Sequence, residues 1–275
     1  VTLHSDREPQ KAQEQGVAVR IAVLLKEVPD TYSDREMNLQ TGLTDRSGDV
    51  VADEVSERAV EAALRIAEAG ENVEVEILSV GPESSADSVR RGIAMGASEA
   101  YIVSDEALTG ADVTLTAEVL AKLVEKQGYD LVIAGAESSD GGTGVIAPFM
   151  AELLDWPVLT NLTELTLEGD TVRATQASDA ATAQLEAQLP AVVSVADEFA
   201  DPRFPNFKGL MAAKKKELHA ITLAELGVDP DDFTHPRAIM TSIERRPERE
   251  RGEIIDASST AAARLVDFLE SENLI

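Results

Sequence analysis

The chain has 275 residues, of which 44% are hydrophobic, enough for a sizeable core in one large domain or about two average ones. It carries 24 Lys and Arg against 51 Asp and Glu, a formal net charge of −27, which argues against a nucleic-acid partner because phosphate binding needs clustered cations. The absence of cysteine excludes disulfides, cysteine-ligated iron–sulfur clusters and thiolate chemistry.

The first residues, Val1–Gln15, are polar and lack the apolar middle region of a secretory signal. We interpret residues 1–16 as a disordered N-terminal arm. No apolar run in the sequence approaches the length of a membrane span. We therefore expect a cytoplasmic protein with no membrane insertion.

From residue 17 to residue 157, short apolar strands alternate with helical patterns, which is typical of a parallel sheet with crossover helices. The predicted strands are Ile21–Leu25, Val73–Val80, Ala100–Val103 and Asp130–Gly135. The predicted helices are Val55–Ala67, Ser84–Met95, Val113–Val124 and Thr143–Leu154. Gly70 and Gly128 close the first and third of these helices, and Pro148 either kinks the fourth or marks its first turn.

After Pro157 the pattern changes to strands without crossover helices. Leu159–Leu167 and Thr171–Thr175 flank a Glu-Gly-Asp sequence that suits a tight hairpin turn, and a third run ends in Pro190–Val195. This half predicts an antiparallel extension of the sheet. The predicted fold class is therefore α/β, with a Rossmann-like parallel sheet, crossover helices and an antiparallel extension.

A segment at about residues 197–217 has no period up to Leu210 and ends in the basic run Lys214–Lys216. Long irregular segments in compact domains are usually functional or disordered, so we interpret this one as a recognition loop. Phe207 lies within it and either anchors a partner or packs back onto the sheet. The basic run is either a plain solvated surface or a contact for acidic groups on a partner.

A short predicted helix, Thr222–Leu226, closes an α/β domain spanning residues 17–229. Residues 230–275 form a predicted C-terminal arm, which is charged from Pro230 to Glu253 and then forms an amphipathic helix near Ser258–Glu270. That helix belongs either to a core or to a docking element, and its place at the end of a charged arm favours docking.

The strand that ends at Gly135 runs into the small, glycine-rich stretch 136–144 and then into a helix. A helix N-terminus offers free N–H groups and a positive dipole end to a phosphate, and Thr143 adds a hydroxyl donor. The stretch is neither the dinucleotide fingerprint nor a P-loop, and a glycine-rich turn is more often structural. Two further segments, Leu24–Lys26 and Ser79–Pro82, also follow strands, so three loops at carboxyl strand ends together indicate a nucleotide site.

Catalytic and metal-binding patterns are missing. His4, His219 and His235 are scattered without metal-ligand spacing, and no serine lies in a nucleophile elbow. We therefore expect neither an enzyme nor a metal site.

Several short segments resemble a known family in their order and spacing. The resemblance extends from about Gly16 over nearly the whole chain. The segments are Lys26–Asp30, Ala59–Ala63, Ser79–Pro82, Ile93–Ala97, Leu154–Pro157, Leu189–Val193, the recognition loop and Leu226–Asp229. With these segments the chain resembles the β subunit of electron transfer flavoproteins.

That resemblance implies a heterodimer with an α subunit, which holds most contacts to the redox FAD. It implies that the β subunit buries an AMP or, in electron-bifurcating relatives, a second FAD. It also implies an electron carrier that passes electrons from acyl-CoA or similar dehydrogenases to a quinone-linked oxidoreductase.

By position, the family's nucleotide contacts fall on residues of four short segments, and its hydrophobic anchor for dehydrogenases falls on or near Phe207. The implied nucleotide contacts are Leu24, Asp53, Ser56, Val80, Gly135, Asp140, Gly141, Gly142 and Thr143. The sequence departs from the family pattern at Asp53–Ser56. At these four positions the family usually has Asn, Pro, any residue and then Asp. Its Asp140, Gly141, Thr143 and Pro148 resemble the bifurcating branch, which favours a second FAD over AMP.

Two interpretations of the acidity remain, an acidic surface for a basic partner and adaptation to high salt. The acid is spread along the chain rather than gathered in one patch, which favours a halophilic protein. The alternative function is a stand-alone adenine-nucleotide-binding regulator of universal-stress type, which shares the α/β layout. That alternative does not explain the recognition loop, the basic run or the C-terminal arm.

Overall fold

The computed structural model describes residues 19–33, 35–249, 251–252 and 254–275, so the predicted arm 1–16 lies outside the described residues. The chain divides into two compact units, one ending at Thr241 and one spanning Ser242–Ile275. Residues 230–241, which the sequence analysis assigned to the C-terminal arm, therefore belong to the first unit.

The strands, in chain order, are β1 (Val19–Leu24), β2 (Glu27–Pro29), β3 (Val50–Ala52), β4 (Val73–Val80), β5 (Glu99–Val103), β6 (Leu131–Gly135), β7 (Val158–Glu168), β8 (Thr171–Ala177), β9 (Thr182–Gln188), β10 (Ala191–Val195) and β11 (His219–Ile221). The α-helices are α1 (Glu54–Ala69), α2 (Ala86–Met95), α3 (Val113–Gln127), α4 (Ile146–Leu154), α5 (Phe207–Lys215), α6 (Leu223–Leu226) and α7 (Ala261–Ser271). Short 3₁₀ helices lie at Glu83–Ser85 and Glu106–Leu108.

Nine strands form one sheet in the order β11-β5-β4-β1-β6-β10-β7-β8-β9. Neighbouring strands are parallel from β11 to β7, whereas β7, β8 and β9 pair antiparallel. This topology confirms the predicted α/β class with a mostly parallel sheet and an antiparallel extension. The pair β2–β3 forms a separate antiparallel ribbon.

Strand β10 differs from the prediction, because it lies between β6 and β7 and is parallel to both. All five of its residues are buried, as expected of a strand that is covered on both faces. Two residues, Leu189 and Pro190, connect the edge strand β9 to β10, so β10 enters the sheet without a crossover helix before it. Strands β2, β3 and β11 were not predicted, since three residues are too few to show a period.

Successive side chains of the central strands point to opposite faces of the sheet, so the core is divided into two clusters. Ile21 and Val23 of β1 pack in one cluster with apolar residues of α1 and α2. Ala22 and Leu24 pack in the other cluster with residues of α3 and α4. This arrangement follows from the two-residue repeat of a strand.

The predicted helices are present, with shifted ends. Helix α3 ends at Gly128, whose φ of 72° is the left-handed conformation that glycine adopts readily. Helix α4 begins at Ile146 rather than at Thr143, so Pro148 lies in its first turn, where its missing N–H would have no partner in the helix anyway.

Part of the segment predicted as an irregular loop forms a helix, α5. Only Ala213 is buried in it, so the sequence shows no hydrophobic repeat there. In the second unit, α7 has no buried residue and exposes Leu265, Val266 and Phe268. No helix among the described residues is long and apolar enough to cross a bilayer.

The end of the first unit is fastened to α3. The backbone N–H of Ala238 and the hydroxyl of Thr114 both bond to Asp112, which caps α3. Arg237 donates to Glu118 at 2.5 Å, with both side chains largely buried. These contacts explain why the first unit extends beyond the predicted boundary at residue 229.

Candidate functional site

Three of the predicted nucleotide contacts end neighbouring parallel strands. Leu24 is the last residue of β1, Val80 of β4 and Gly135 of β6, and β1 lies between the other two. Leu24 is buried, whereas Val80 and Gly135 are half-buried. The structure therefore brings these three residues to one edge of the sheet, where open α/β sheets bind ligands.

Gly135 lies against the N-terminus of α1. A Cβ atom on this residue would stand 3.0 Å from the carbonyl carbon of Val55 and 3.2 Å from the backbone nitrogen of Ser56. A larger residue would push α1 away from the strand. Gly135 thus sets the close approach of β6 and α1 at this edge.

Asp53 caps helix α1 from a fully buried position. Its carboxylate accepts hydrogen bonds from the backbone N–H of Ser56 at 3.1 Å and from the Ser56 hydroxyl at 3.2 Å. The other carboxylate oxygen accepts from the backbone N–H of Ser139 at 2.9 Å. The carboxylate of Asp53 is therefore bonded to Ser56 and to the glycine-rich loop. These hydrogen bonds stabilise the fold at this edge of the sheet.

Asp140 lies between two cations. Its carboxylate accepts hydrogen bonds from Lys26 and Arg46, each at 2.7 Å, and only 4% of its side chain is exposed. Burial raises the pKa of Asp140, but the hydrogen bond and charge of Lys26, a bond from Ser138 and the charge of Arg46 outweigh it, so the pKa lies below its ordinary value. Asp140 is therefore ionised at neutral pH.

Lys26 also donates to the hydroxyl of Ser138 at 3.2 Å, and the backbone N–H of Gly141 donates to the same hydroxyl at 3.3 Å. Gly142 and Gly144 have φ values of 57° and 64°. Gly142 and Thr143 are exposed. Hydrogen bonds within the loop and from Lys26 and Asp53 thus hold it, and its outer residues are open to solvent.

This loop has the chemistry of an anion site. Lys26 and Arg46 remain 43% and 34% exposed beside it. Helix α4 follows with neither a side-chain cap nor an acidic residue in its first turn, which leaves its N–H groups to a ligand. The Ser139 hydroxyl is buried with no hydrogen-bond partner among the described residues. These features fit the phosphate groups of a nucleotide.

Sequence reasoning placed Lys26 and Ser139 within two of the three predicted loops but did not single them out as contacts, and it did not find Arg46. Lys26 lies two residues after Leu24, the last residue of β1. Arg46 lies in the long connection between β2 and β3, where no pattern distinguishes it. The ion pair between Arg46 and Asp140 forms only when the chain is folded.

A second candidate surface lies on α5 and the residues before it. Phe204 is 90% exposed and Phe207 is 79% exposed, and Leu210 and Met211 are also exposed. Lys208, Lys214 and Lys215 are exposed on the same short segment. We call the four apolar residues Phe204, Phe207, Leu210 and Met211 the apolar docking face.

Ion pairs fasten the chain just before this face to α1. Arg203 donates to Glu61 at 2.7 Å and also pairs with Glu68, and Arg58 donates to the carbonyl of Phe199. Burial raises the pKa of Glu61, but hydrogen bonds from Arg203 and Arg65 outweigh it, so this nearly buried carboxyl has a lowered pKa. The segment is therefore tied to the body of the domain.

Comparisons with known proteins place the chain in a family. A family model described as "Electron transfer flavoprotein domain" matches residues 41–226. A protein named electron transfer flavoprotein subunit beta from Mycobacterium leprae (strain TN) is 40% identical over 264 residues, which cover 93% of this chain and 99% of the relative.

A protein of the same name from Mycobacterium tuberculosis (strain ATCC 25618 / H37Rv) is 39% identical over 263 residues, 93% of this chain and 99% of the relative. Another from Thermoanaerobacterium thermosaccharolyticum is 33% identical over 264 residues, 94% of this chain and 100% of the relative. These β subunits are electron carriers rather than enzymes. The matches confirm the resemblance found in the sequence, and the chain belongs to the electron transfer flavoprotein family as a β subunit.

Proposed function

We propose that this chain forms a cytoplasmic heterodimer with an α subunit and carries electrons from dehydrogenases, such as acyl-CoA dehydrogenases, to a quinone-linked oxidoreductase. The support is its similarity over nearly its whole length to proteins named as β subunits. The α subunit holds most contacts to the redox FAD, which supplies the electron-accepting chemistry.

The exposure of the apolar docking face is the observation that supports a contact with dehydrogenases. Phe204 and Phe207 expose large aromatic surfaces to solvent, and aromatic residues often dominate the energy of protein interfaces. Three exposed lysines lie on the same segment as the face, in a chain whose net charge is −27. A partner with an apolar pocket and acidic groups at its rim matches this combination.

We also propose that this chain binds an adenine nucleotide, AMP or a second FAD, between the loops at Leu24, Val80 and Asp140–Thr143. Lys26, Arg46 and the free N-terminus of α4 would hold its phosphate groups. Asp53 would keep the glycine-rich loop in place from below, through the N–H of Ser139.

The test is analysis of the purified heterodimer. After denaturation, mass spectrometry should find AMP or FAD in addition to one FAD for the α subunit. A fully active complex that releases one FAD and no other nucleotide overturns the proposal of a nucleotide site in this chain. A homodimer that carries ATP would instead favour the universal-stress alternative.

A further inference from the structure

Helix α5 is too short to be stable by itself. It has nine residues, whereas isolated helices shorter than about 12–15 residues are marginal in water. Only Ala213 of the helix is buried. Contacts to the rest of the domain must therefore supply the order of the apolar docking face.

The two sides of α5 have different environments. Phe207, Leu210 and Met211 follow the helical repeat and are exposed together. Gly209 and Ala213, which are four positions apart, form the other side, which faces α2. The contact with α2 therefore decides where the apolar side points.

Gly209 lets α5 approach α2 closely. A Cβ atom at this position would stand 2.4 Å from the carbonyl oxygen of Ala94, near the end of α2. The obstructing atom is backbone and cannot rotate away, as the end of a flexible side chain could. Any residue larger than glycine would therefore shift α5 relative to α2.

Arg90 of α2 binds the other end of α5. One nitrogen of its guanidinium donates to the carbonyl oxygens of Ala213 at 2.6 Å and Lys216 at 2.5 Å. These carbonyls lie at the C-terminal end of α5, where the C=O groups of a helix lack N–H donors from a following turn. The carbonyl of Ala213 also accepts a longer hydrogen bond, at 3.2 Å, from the N–H of Lys216. A positive charge at this position also interacts favourably with the helix dipole.

We propose that Gly209 and Arg90 are positioning residues that hold the apolar docking face in the orientation a partner dehydrogenase recognises, a role that rests on the proposed dehydrogenase contact. A surface ordered before binding loses less conformational freedom on association than one that must fold on contact. Gly209 sets the distance of α5 from α2, and Arg90 sets its orientation at the C-terminal end.

The test compares two substitutions with opposite effects on helix formation. Gly209→Ala replaces a poor helix former by the best one, and Ala212→Gly does the reverse at an exposed position of α5. The heterodimer is reduced by an acyl-CoA dehydrogenase and its acyl-CoA substrate, and the KM for the heterodimer is measured. We expect Gly209→Ala to raise this KM about fivefold or more and Ala212→Gly to raise it less than about twofold.

Arg90 provides an independent arm of the same experiment. Arg90→Met should raise the KM about fivefold, and Arg90→Lys should recover part of the loss because an ammonium group still donates to carbonyl oxygens. The rate at saturating heterodimer and the reduction of the flavin by dithionite should not change in either variant. Amide hydrogen exchange over residues 207–216 should be faster in Arg90→Met.

A Gly209→Ala variant that binds the dehydrogenase as well as the original protein, while Phe207→Ala binds it worse, would overturn this inference and keep the proposed docking face. If Phe207→Ala and Gly209→Ala both leave the KM unchanged, the proposed docking face itself fails, and the positioning role fails with it.

Discussion

The buried carboxylate of Asp53 accepts a hydrogen bond from the backbone N–H of Ser139 at 2.9 Å, across 86 positions of the chain. The same carboxylate caps helix α1 through Ser56. One side chain therefore fixes both the start of a core helix and the glycine-rich loop proposed to bind a nucleotide. Loop geometry and the stability of the fold are coupled at this residue.

Replacing Asp53 by Ala should destabilise the protein by about 2–3 kcal/mol in urea unfolding. The loss of the helix cap accounts for about 1 kcal/mol and the unsatisfied N–H of Ser139 for the remainder. Nucleotide recovered from the heterodimer should fall in parallel. Asp105→Ala is the control, because Asp105 caps only the short surface 3₁₀ helix Glu106–Leu108. Equal effects of the two substitutions would contradict a special role for Asp53.

The ion pairs of Asp140 should make stability depend on pH at the acid end. Its pKa lies below the ordinary value of 3.8, so its contribution is complete above about pH 4 and is lost as the pH falls through the lower value of the folded state. Asp140→Asn removes this contribution at every pH. The difference in urea stability between the original protein and the variant should therefore shrink below about pH 4. A difference that stays constant from pH 6 to about pH 3 would show that Asp140 does not titrate in this way.

Phe207→Ala should lower the kcat/KM for electron transfer from an acyl-CoA dehydrogenase about tenfold, since a truncated aromatic anchor loses its buried contacts. Heterodimer formation, FAD content and reduction by dithionite should not change. Phe233→Ala is a matched control, because Phe233 is also well exposed, at 64%, but lies outside α5. Loss of FAD or of the α subunit in Phe207→Ala would identify Phe207 as a packing residue instead.

The net charge of −27 predicts a protein that needs salt. Repulsion among the carboxylates opposes the compact state, and added ions screen it. The midpoint of thermal unfolding of the heterodimer should rise between low salt and molar KCl. Sucrose at the same molar concentrations is the control, and it should not reproduce the rise that KCl causes at low concentration. A midpoint that stays flat or falls as KCl increases would exclude the proposed adaptation to high salt.

Local patterns were enough to predict most of the sheet and its helices. The two-residue repeat of Val73–Val80 and the helical repeat of Val113–Val124 each indicate the type of one segment, because a repeat of this kind lies within a short stretch of sequence. The same reasoning placed β10 in the antiparallel extension, because a buried run of five residues does not reveal which strands lie beside it. It also missed α5, whose order comes from contacts with α2 rather than from its own hydrophobic pattern.

The sequence by itself determined the fold class, the three loops at the strand ends and the family, because each of these is written in short segments. Only the tertiary structure decided that Asp140 meets Lys26 and Arg46, which lie 114 and 94 positions away, and that Arg90 reaches the carbonyl of Ala213, 123 positions away. Contacts of this kind depend on strand order and on how closely two helices approach. Those are properties of the assembled sheet, and no single segment carries them.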